Sequence, residues 1–167
     1  MMMRNDVISQ VVGDHTREYN GTADGCQLLQ IWRSCVTMYA FTDKGESMNH
    51  TPPAIALLTD FGLTDPYVGV MKAVIHSICP AAPFIDITHA ISPQQVRQAA
   101  FLLEGASPYF VAGTVFLVVV DPGVGTNRRS IAVQAGQYFF VGPDNGVFSY
   151  VCRGADKVRV VELTNSA

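Results

Sequence analysis

The feature that most constrains the fold is a continuous run of apolar and β-branched residues over positions 114–120, which ends at an acid, Asp121. Such a run is too apolar for a half-exposed strand and is typical of a strand buried on both faces of a parallel sheet. The loop that follows, residues 122–127, contains one proline and two glycines, so the backbone must leave the sheet sharply there. Asp121 and Arg128 therefore flank a loop at the carboxyl end of a central strand, where ligands of open α/β sheets bind. An ordinary strand end with a solvated acid explains this loop alone equally well.

Strand and helix patterns alternate along the rest of residues 54–163. Strands are predicted at 54–58, 84–88, 130–134, 137–141 and 157–163, and helices at 67–78 and from Pro93 onward. The first helix is expected to begin at Pro66 after a cap by Thr64 or Asp65, and the second to be capped by Ser92. The residues expected to face inward on the first helix are Tyr67, Val70, Met71, Val74 and Ile78. This alternation predicts an α/β fold, a central, mostly parallel sheet flanked by helices.

Composition excludes several classes of protein. The chain has 167 residues, 49% of them hydrophobic and 15% charged, which is enough for one domain with a real core. A net charge of −3 does not indicate the positively charged surface that nucleic-acid-binding proteins carry. No apolar run is long enough to span a membrane, and no secretory signal is visible, so the cytoplasm is the expected location. The four cysteines are widely spaced without a CxxC pair, so no metal site is expected.

Residues 1–53 differ from the rest in having scattered apolar residues between polar stretches. We expect a poorly ordered extension there, with one short helix at most. Either the true start is Met48 and the upstream residues are a wrongly assigned extension, or they form a mobile arm. Residues 54–167 are expected to form the α/β domain.

Polar residues follow four of the predicted strands. They are Asp60, His89, Asp121 with Arg128, and Asn145 in the turn PDNG at 143–146. Strands that end at the same edge of one sheet bring such groups around one crevice. Each group also has a structural explanation, because Asp60 can cap a turn, His89 can bond a carbonyl and PDNG is a common turn. Four such elements together favour a site.

Four ordered motifs carry a family resemblance: TDFGLTDPYVGVMK at 59–72, DITHAISP at 86–93, YFVAGTVFLVVVDPGVGTNRR at 109–129 and VGPDNGVFS at 141–149. In this order they resemble the N-terminal domain of the S-adenosyl-L-methionine (SAM) hydrolases. That family is also called the SAM hydroxide adenosyltransferases and is related to the SAM-dependent fluorinase and chlorinase. The resemblance covers residues 54 to about 165.

The resemblance implies that SAM and water react to give adenosine and L-methionine, with SAM as substrate and no cofactor. It implies that Asp60 accepts hydrogen bonds from the ribose hydroxyls. Asp121 and Arg128 match two members of an Asp-Arg-His set that orients the attacking water. The family's histidine lies beyond residue 167, and His89 does not match it. Asn145 is expected to face the methionine or adenosine portion of the substrate.

The resemblance also implies a β-rich C-terminal domain and a homotrimer whose sites lie between neighbouring subunits. That domain is missing from this sequence, so we expect either a fragment of a longer protein or a truncated product, inactive by itself. A non-catalytic module that binds nucleoside or SAM, or a subunit completed by a partner domain, is the alternative. A halogenase is disfavoured because the family's halogenases carry non-acidic groups at the position of Asp121, and a fixed carboxylate repels an incoming halide.

Overall fold

The structure, a computed structural model, describes residues 54–163, and the predicted extension at 1–53 lies outside the described residues. The elements follow in the order β1 (Ile55–Thr59), α1 (Tyr67–Ile78), β2 (Phe84–Thr88), α2 (Val96–Ala106), a 3₁₀ turn (Ser107–Tyr109), β3 (Val115–Val119), β4 (Ser130–Ala135), β5 (Tyr138–Pro143), α3 (Ser149–Arg153) and β6 (Val158–Glu162). The predicted alternation of strands and helices is confirmed, with strand ends displaced by one or two residues.

The six described strands form one mixed sheet in the order β2-β1-β3-β5-β4-β6. The neighbours β2, β1, β3 and β5 are parallel, whereas β4 is antiparallel to both β5 and β6. The predicted hairpin of β4 and β5 is therefore present, and the parallel half of the sheet carries the central strand. Every residue of β3 is buried, as its apolar run predicts.

Two apolar layers cover the faces of the sheet. One layer packs α1 on alternate residues of β1 and β3 such as Leu57 and Leu117. The other packs α2 on the opposite face, around Leu58 and Phe116, where the rings of Phe116 and Phe140 stack at a centroid distance of 4.9 Å. Because both faces of the central strands are dry, polar groups on these strands can be reached only at their ends.

The inward face of α1 differs from the prediction. Its buried residues are Val68, Met71 and Ile75, whereas Tyr67, Val70 and Ile78 are about half exposed or more. Helix α1 carries apolar residues on nearly all sides, so two overlapping apolar stripes, both of which include Met71, could have faced the sheet. Docking on the sheet, which a single helix sequence does not reveal, decides between them.

The starts of both long helices also differ from the prediction. Pro66 occupies the N-cap position of α1, and no side chain caps that helix. Helix α2 begins at Val96 rather than Pro93, because Gln94 has a φ of 65° that no helix allows. The Ser92 amide instead donates a hydrogen bond to Oε1 of Gln98, within α2, at 3.1 Å.

Candidate active site

The carboxyl ends of the four parallel strands lie at one edge of the sheet. Asp60 follows β1, His89 follows β2, Asp121 lies two residues after β3, and Asn145 lies two residues after β5. The residues predicted from four separate motifs are thus brought to the same edge, as parallel pairing requires.

Asp60 is tied to the neighbouring strand and to the loop before α2. Its amide donates to the Val119 carbonyl at 3.3 Å, which fixes the end of β1 beside the end of β3. Its carboxylate Oδ2 accepts from the Gln94 amide at 3.0 Å. A carboxylate has about four acceptor sites, so one amide leaves it able to accept further donors.

Asp121 contacts the glycine-containing loop that follows it and the arginine at the end of that loop. Its side chain is only 5% exposed, its Oδ1 accepts from the Gly123 amide at 2.9 Å, and the same oxygen lies 3.4 Å from Nε of Arg128. A Cβ on Gly123 would lie 3.0 Å from Nη2 of Arg128. Glycine is needed here so that the guanidinium can lie against the loop. The site therefore pairs a buried carboxylate with a cation whose side chain is 34% exposed.

A second arginine joins this loop to the turn after β5. Arg128 Nη1 donates to the Asp144 carbonyl at 3.2 Å, and Arg129 Nη2 lies 2.6 Å from Asp144 Oδ2. The Asp144 amide also donates to the Arg129 carbonyl at 2.9 Å. Sequence reasoning assigned no role to Arg129 or Asp144. Their opposite charges in neighbouring motifs were the available signal, but the pairing depends on strand order.

Asn145 connects the same turn to the end of β3. Its Nδ2 donates to the Val120 carbonyl at 2.8 Å, and its Oδ1 accepts from the Val147 amide at 3.1 Å. Behind this turn, a Cβ on Gly142 would lie 2.5 Å from the Val118 carbonyl oxygen. The close approach of β5 and β3 and the Asn145 bridge together set the distance between the PDNG turn and Asp121.

His89 is enclosed rather than solvated, with 5% of its surface exposed. Its Nδ1 lies 2.8 Å from Thr59 Oγ1 and its Nε2 lies 3.3 Å from Asp86 Oδ1, while Lys72 Nζ binds the other oxygen of Asp86 at 2.7 Å. Burial raises the pKa of Asp86, but the hydrogen bond from Lys72 and the nearby His89 ring outweigh it and leave the pKa below its ordinary value. Sequence reasoning did not connect these four residues, which lie on α1, on β1, on β2 and in the loop after β2.

The rest of the described region contains a cavity but neither a cluster of metal-binding side chains nor a helix that could span a membrane. A cavity of about 420 Å³ opens between the ends of α2 and α3 and the β4–β5 hairpin, at the opposite edge of the sheet. Within residues 54–163, His, Cys, Asp and Glu side chains do not gather in threes as metal ligands do. No helix in that range has the length and apolarity to cross a membrane.

Comparison with known proteins identifies relatives for this region. Residues 55–167 match the family described as SAM hydroxide adenosyltransferase N-terminal domain. The chain is 50% identical over 95 residues to the (R)-S-adenosyl-L-methionine hydrolase of Thermus thermophilus, covering 57% of this chain and 37% of the relative. It is 46% identical over 114 residues to the enzyme of the same name from Salinispora tropica, covering 68% of this chain and 43% of the relative.

More distant and structural relatives agree with this picture. A fluorinase from an Actinoplanes species is 27% identical over 137 residues, covering 68% of this chain and 46% of the relative. The crystal structure of an uncharacterized conserved protein from Thermotoga maritima superposes with a TM-score of 0.64 at 49% identity, covering 66% of this chain and 43% of that one. The chain spans about two fifths of the length of the hydrolases it matches.

Proposed function

This chain belongs to the SAM hydroxide adenosyltransferase family, and we propose that it supplies the ribose-binding and water-orienting groups of an enzyme that hydrolyses SAM to adenosine and L-methionine. The observation that carries the proposal is the position of Asp60 and Asp121 at the ends of the adjacent strands β1 and β3. The higher identity to hydrolases than to the fluorinase supports water rather than halide as the nucleophile.

The chemistry needs few protein groups. The oxygen of water attacks the 5′-carbon of SAM, the bond from that carbon to sulfur breaks with its electron pair going to sulfur, and the attacking water releases one proton to the solvent. The leaving group is a neutral thioether, so it requires no general acid. The barrier then depends on holding water in line behind the carbon while the ribose is prevented from turning.

Asp60 is suited to the ribose. Its carboxylate already accepts the Gln94 amide, which holds it in one orientation, and it retains acceptor sites for hydroxyl groups. Charge-assisted hydrogen bonds of this kind are roughly twice as strong as neutral ones. We assign Asp60 to binding.

Asp121 and Arg128 are suited to the water. The carboxylate is buried, so it accepts from a water in a setting of low dielectric constant, where the interaction is strong. The guanidinium, anchored at the Asp144 carbonyl, offers further donors that orient the water oxygen. We assign both to the catalytic step. The family resemblance implies a histidine as the third group of this set, and His89 does not match it.

Asn145 contributes at the substrate's side of the PDNG turn. One donor of its amide group is used by the Val120 carbonyl, and the second remains for the methionine or adenosine portion. We further propose that the protein acts as a cytoplasmic homotrimer in which a neighbouring subunit closes each site, as the family resemblance implies.

Two measurements test the proposal. First, the 167-residue chain is titrated with adenosine and with both sulfonium epimers of SAM by calorimetry. Second, residues 54–167 are joined to the carboxyl-terminal remainder of the Thermus thermophilus hydrolase, giving a completed chain, and adenosine release from each epimer is followed by chromatography with and without chloride or fluoride.

The outcomes separate the functional classes. Adenosine formation by the completed chain, preferring the (R) epimer that the relatives are named for, supports hydrolysis. Formation of a 5′-halogenated nucleoside shows a halogenase. Tight binding without turnover in the completed chain shows a binding module. Absence of both binding and turnover contradicts the proposal.

A further inference from the structure

We infer that His89 is a positioning residue for Asp60, oriented by the Asp86 carboxylate beside its Nε2 on one side and by the Thr59 hydroxyl on the other. The ribose part of this inference rests on the proposed function of Asp60. Neither the family resemblance nor the comparisons assign His89 a role. It is the buried ionisable side chain at this edge of the sheet that the proposed reaction does not use.

The groups on either side of the ring determine the tautomer. Nε2 lies 3.3 Å from Asp86 Oδ1, a contact that is not a hydrogen bond in this geometry. Asp86 is ionised at neutral pH because its pKa is lowered, and a lone pair on Nε2 would face this carboxylate, so the proton is favoured on Nε2. In the neutral ring Nδ1 is then an acceptor, and the Thr59 hydroxyl donates to it across 2.8 Å. The Thr59 oxygen still accepts the Phe61 amide at 3.3 Å. The Thr59 hydroxyl and His89 Nδ1 thus form a hydrogen bond, and His89 Nε2 faces the Asp86 carboxylate without a hydrogen bond of its own.

The charged groups around His89 come from two elements. Asp86 lies on β2 and contacts the ring, and Lys72 on α1 contacts Asp86 from the other side. Thr59, on β1, is neutral and fully buried. Lys72 therefore helps to keep Asp86 ionised, and Asp86 keeps the proton on Nε2.

The consequence reaches Asp60 through its immediate neighbours. The side chain of His89 holds Thr59, directly before Asp60, and its backbone carbonyl accepts the amide of Gly62, two residues after Asp60, at 2.8 Å. Gly62 has a φ of 70°, so the turn is tight. His89, directly after β2, thus fixes the turn before and after Asp60. This in turn fixes the position of the Asp60 carboxylate.

Nitrogen-15 NMR of the 167-residue chain tests the tautomer without any ligand. The expected result at neutral pH is a protonated Nε2 and an unprotonated Nδ1 for His89, and loss of that preference in Asp86→Ala. A proton on Nδ1 in the neutral ring, or an unchanged tautomer in Asp86→Ala, overturns the inference. Because Asp86 has a side chain 43% exposed, this variant is expected to fold.

A matched pair of variants tests positioning. Thr59→Val keeps the shape but removes the hydroxyl, and Thr59→Ser keeps the hydroxyl. We expect Thr59→Val to speed hydrogen exchange of the Gly62 amide, to shift the Gln94 amide resonance and to weaken adenosine binding on the order of 10-fold, since a buried hydrogen bond is lost. Thr59→Ser should restore all three. Circular dichroism and the urea midpoint establish that both variants are folded.

The readouts distinguish the two proposals. If the parent chain binds no adenosine, the proposed function fails and the ribose part of the inference fails with it, whereas exchange at Gly62 and the His89 tautomer still report on the hydrogen-bond chain. If the parent binds adenosine and Thr59→Val matches it in affinity and exchange, His89 does not position Asp60.

Discussion

Asp60 and Gln94 are joined by a hydrogen bond of 3.0 Å from the Gln94 amide to the carboxylate, and Gln94 has a φ of 65°. Within the described residues, 54–163, Gln94 is the one residue other than glycine whose φ is positive. A left-handed conformation costs a residue with a Cβ on the order of 1–2 kcal/mol. Backbone strain of this kind is found where the surrounding structure imposes it, often at functional sites. Here it turns an amide toward the carboxylate.

Substitutions at Gln94 are expected to separate the strain from the side chain. Gln94→Gly should change the free energy of unfolding by less than about 1 kcal/mol, because relief of strain is offset by the greater freedom of glycine when unfolded. Gln94→Val should lose about 1–2 kcal/mol, because a β-branched residue tolerates positive φ poorly. Urea denaturation measures both, and equal stability of the two variants would contradict the assignment of strain.

Gly142 is expected to be required by the close approach of β5 and β3. A Cβ there would lie 2.5 Å from the Val118 carbonyl oxygen, so Gly142→Ala should destabilise the chain by about 1–3 kcal/mol. Gly105→Ala, in α2 with open space around its Cβ, is the matched control and should gain about 0.5–1 kcal/mol. Thermal and urea unfolding compare the two. A neutral Gly142→Ala would show that the strands can separate at no cost.

Acid should weaken the Lys72–Asp86–His89 contacts. Because the pKa of Asp86 is lowered from 3.8 by its partners, its charged form stabilises the folded state above the unfolded pKa, and this contribution is lost as pH falls through the lower folded pKa. Asp86→Asn lacks this group, so its stability should fall less steeply than the parent's below about pH 4. Unfolding free energies measured from pH 6 to pH 2.5 test this. Parallel curves for the two proteins would exclude the contribution.

Much of the fold follows from local pattern. The apolar run of β3, the continuous helix over 67–78 and the hairpin between β4 and β5 were all predictable, because burial on both faces, a 3.6-residue period and turn chemistry are written in neighbouring residues. The inward face of α1 was not predictable, because the choice between its two apolar stripes depends on how the helix packs on the sheet. The start of α2 was not, because a contact between Gln94 and Asp60, 34 residues apart, overrides the local cap signal of Ser92.

The site follows the same division. The placement of Asp60, Asp121 and Asn145 at one edge was predictable because they follow parallel strands, and Arg128 joins them just before the antiparallel strand β4. Their roles stay predictions. The partners that hold them were not predictable, since Asp144 meets Arg129 and His89 meets Thr59 only after strand order is known. Polar pairs between distant segments leave no periodic signal in the sequence.

Removal of the Asp60 carboxylate should weaken binding before it affects turnover. Asp60→Ala loses a charge-assisted acceptor for the ribose, which is worth about 1.5–3 kcal/mol or roughly 10- to 100-fold in affinity. Asp65→Ala, an exposed acid in the same loop, is the control and should bind as the parent does. Calorimetric titration with adenosine measures both. Equal affinity of the two variants would remove Asp60 from the ribose site.

In the completed chain, Asp121→Asn should slow turnover strongly while leaving SAM binding nearly unchanged. The amide keeps an oxygen that accepts from Gly123, so the loop is retained, but the charge that polarises the water and pairs with Arg128 is lost. Turnover at saturating SAM is expected to fall roughly 10²–10⁴-fold, the range of general-base effects, while the dissociation constant for SAM stays close to the parent value because Asp60 still holds the ribose. Adenosine release measured beside calorimetric titration separates the two quantities, with Asp65→Asn as the charge-matched control. Turnover at the parent rate would leave Asp121 as a structural acid that only shapes its loop.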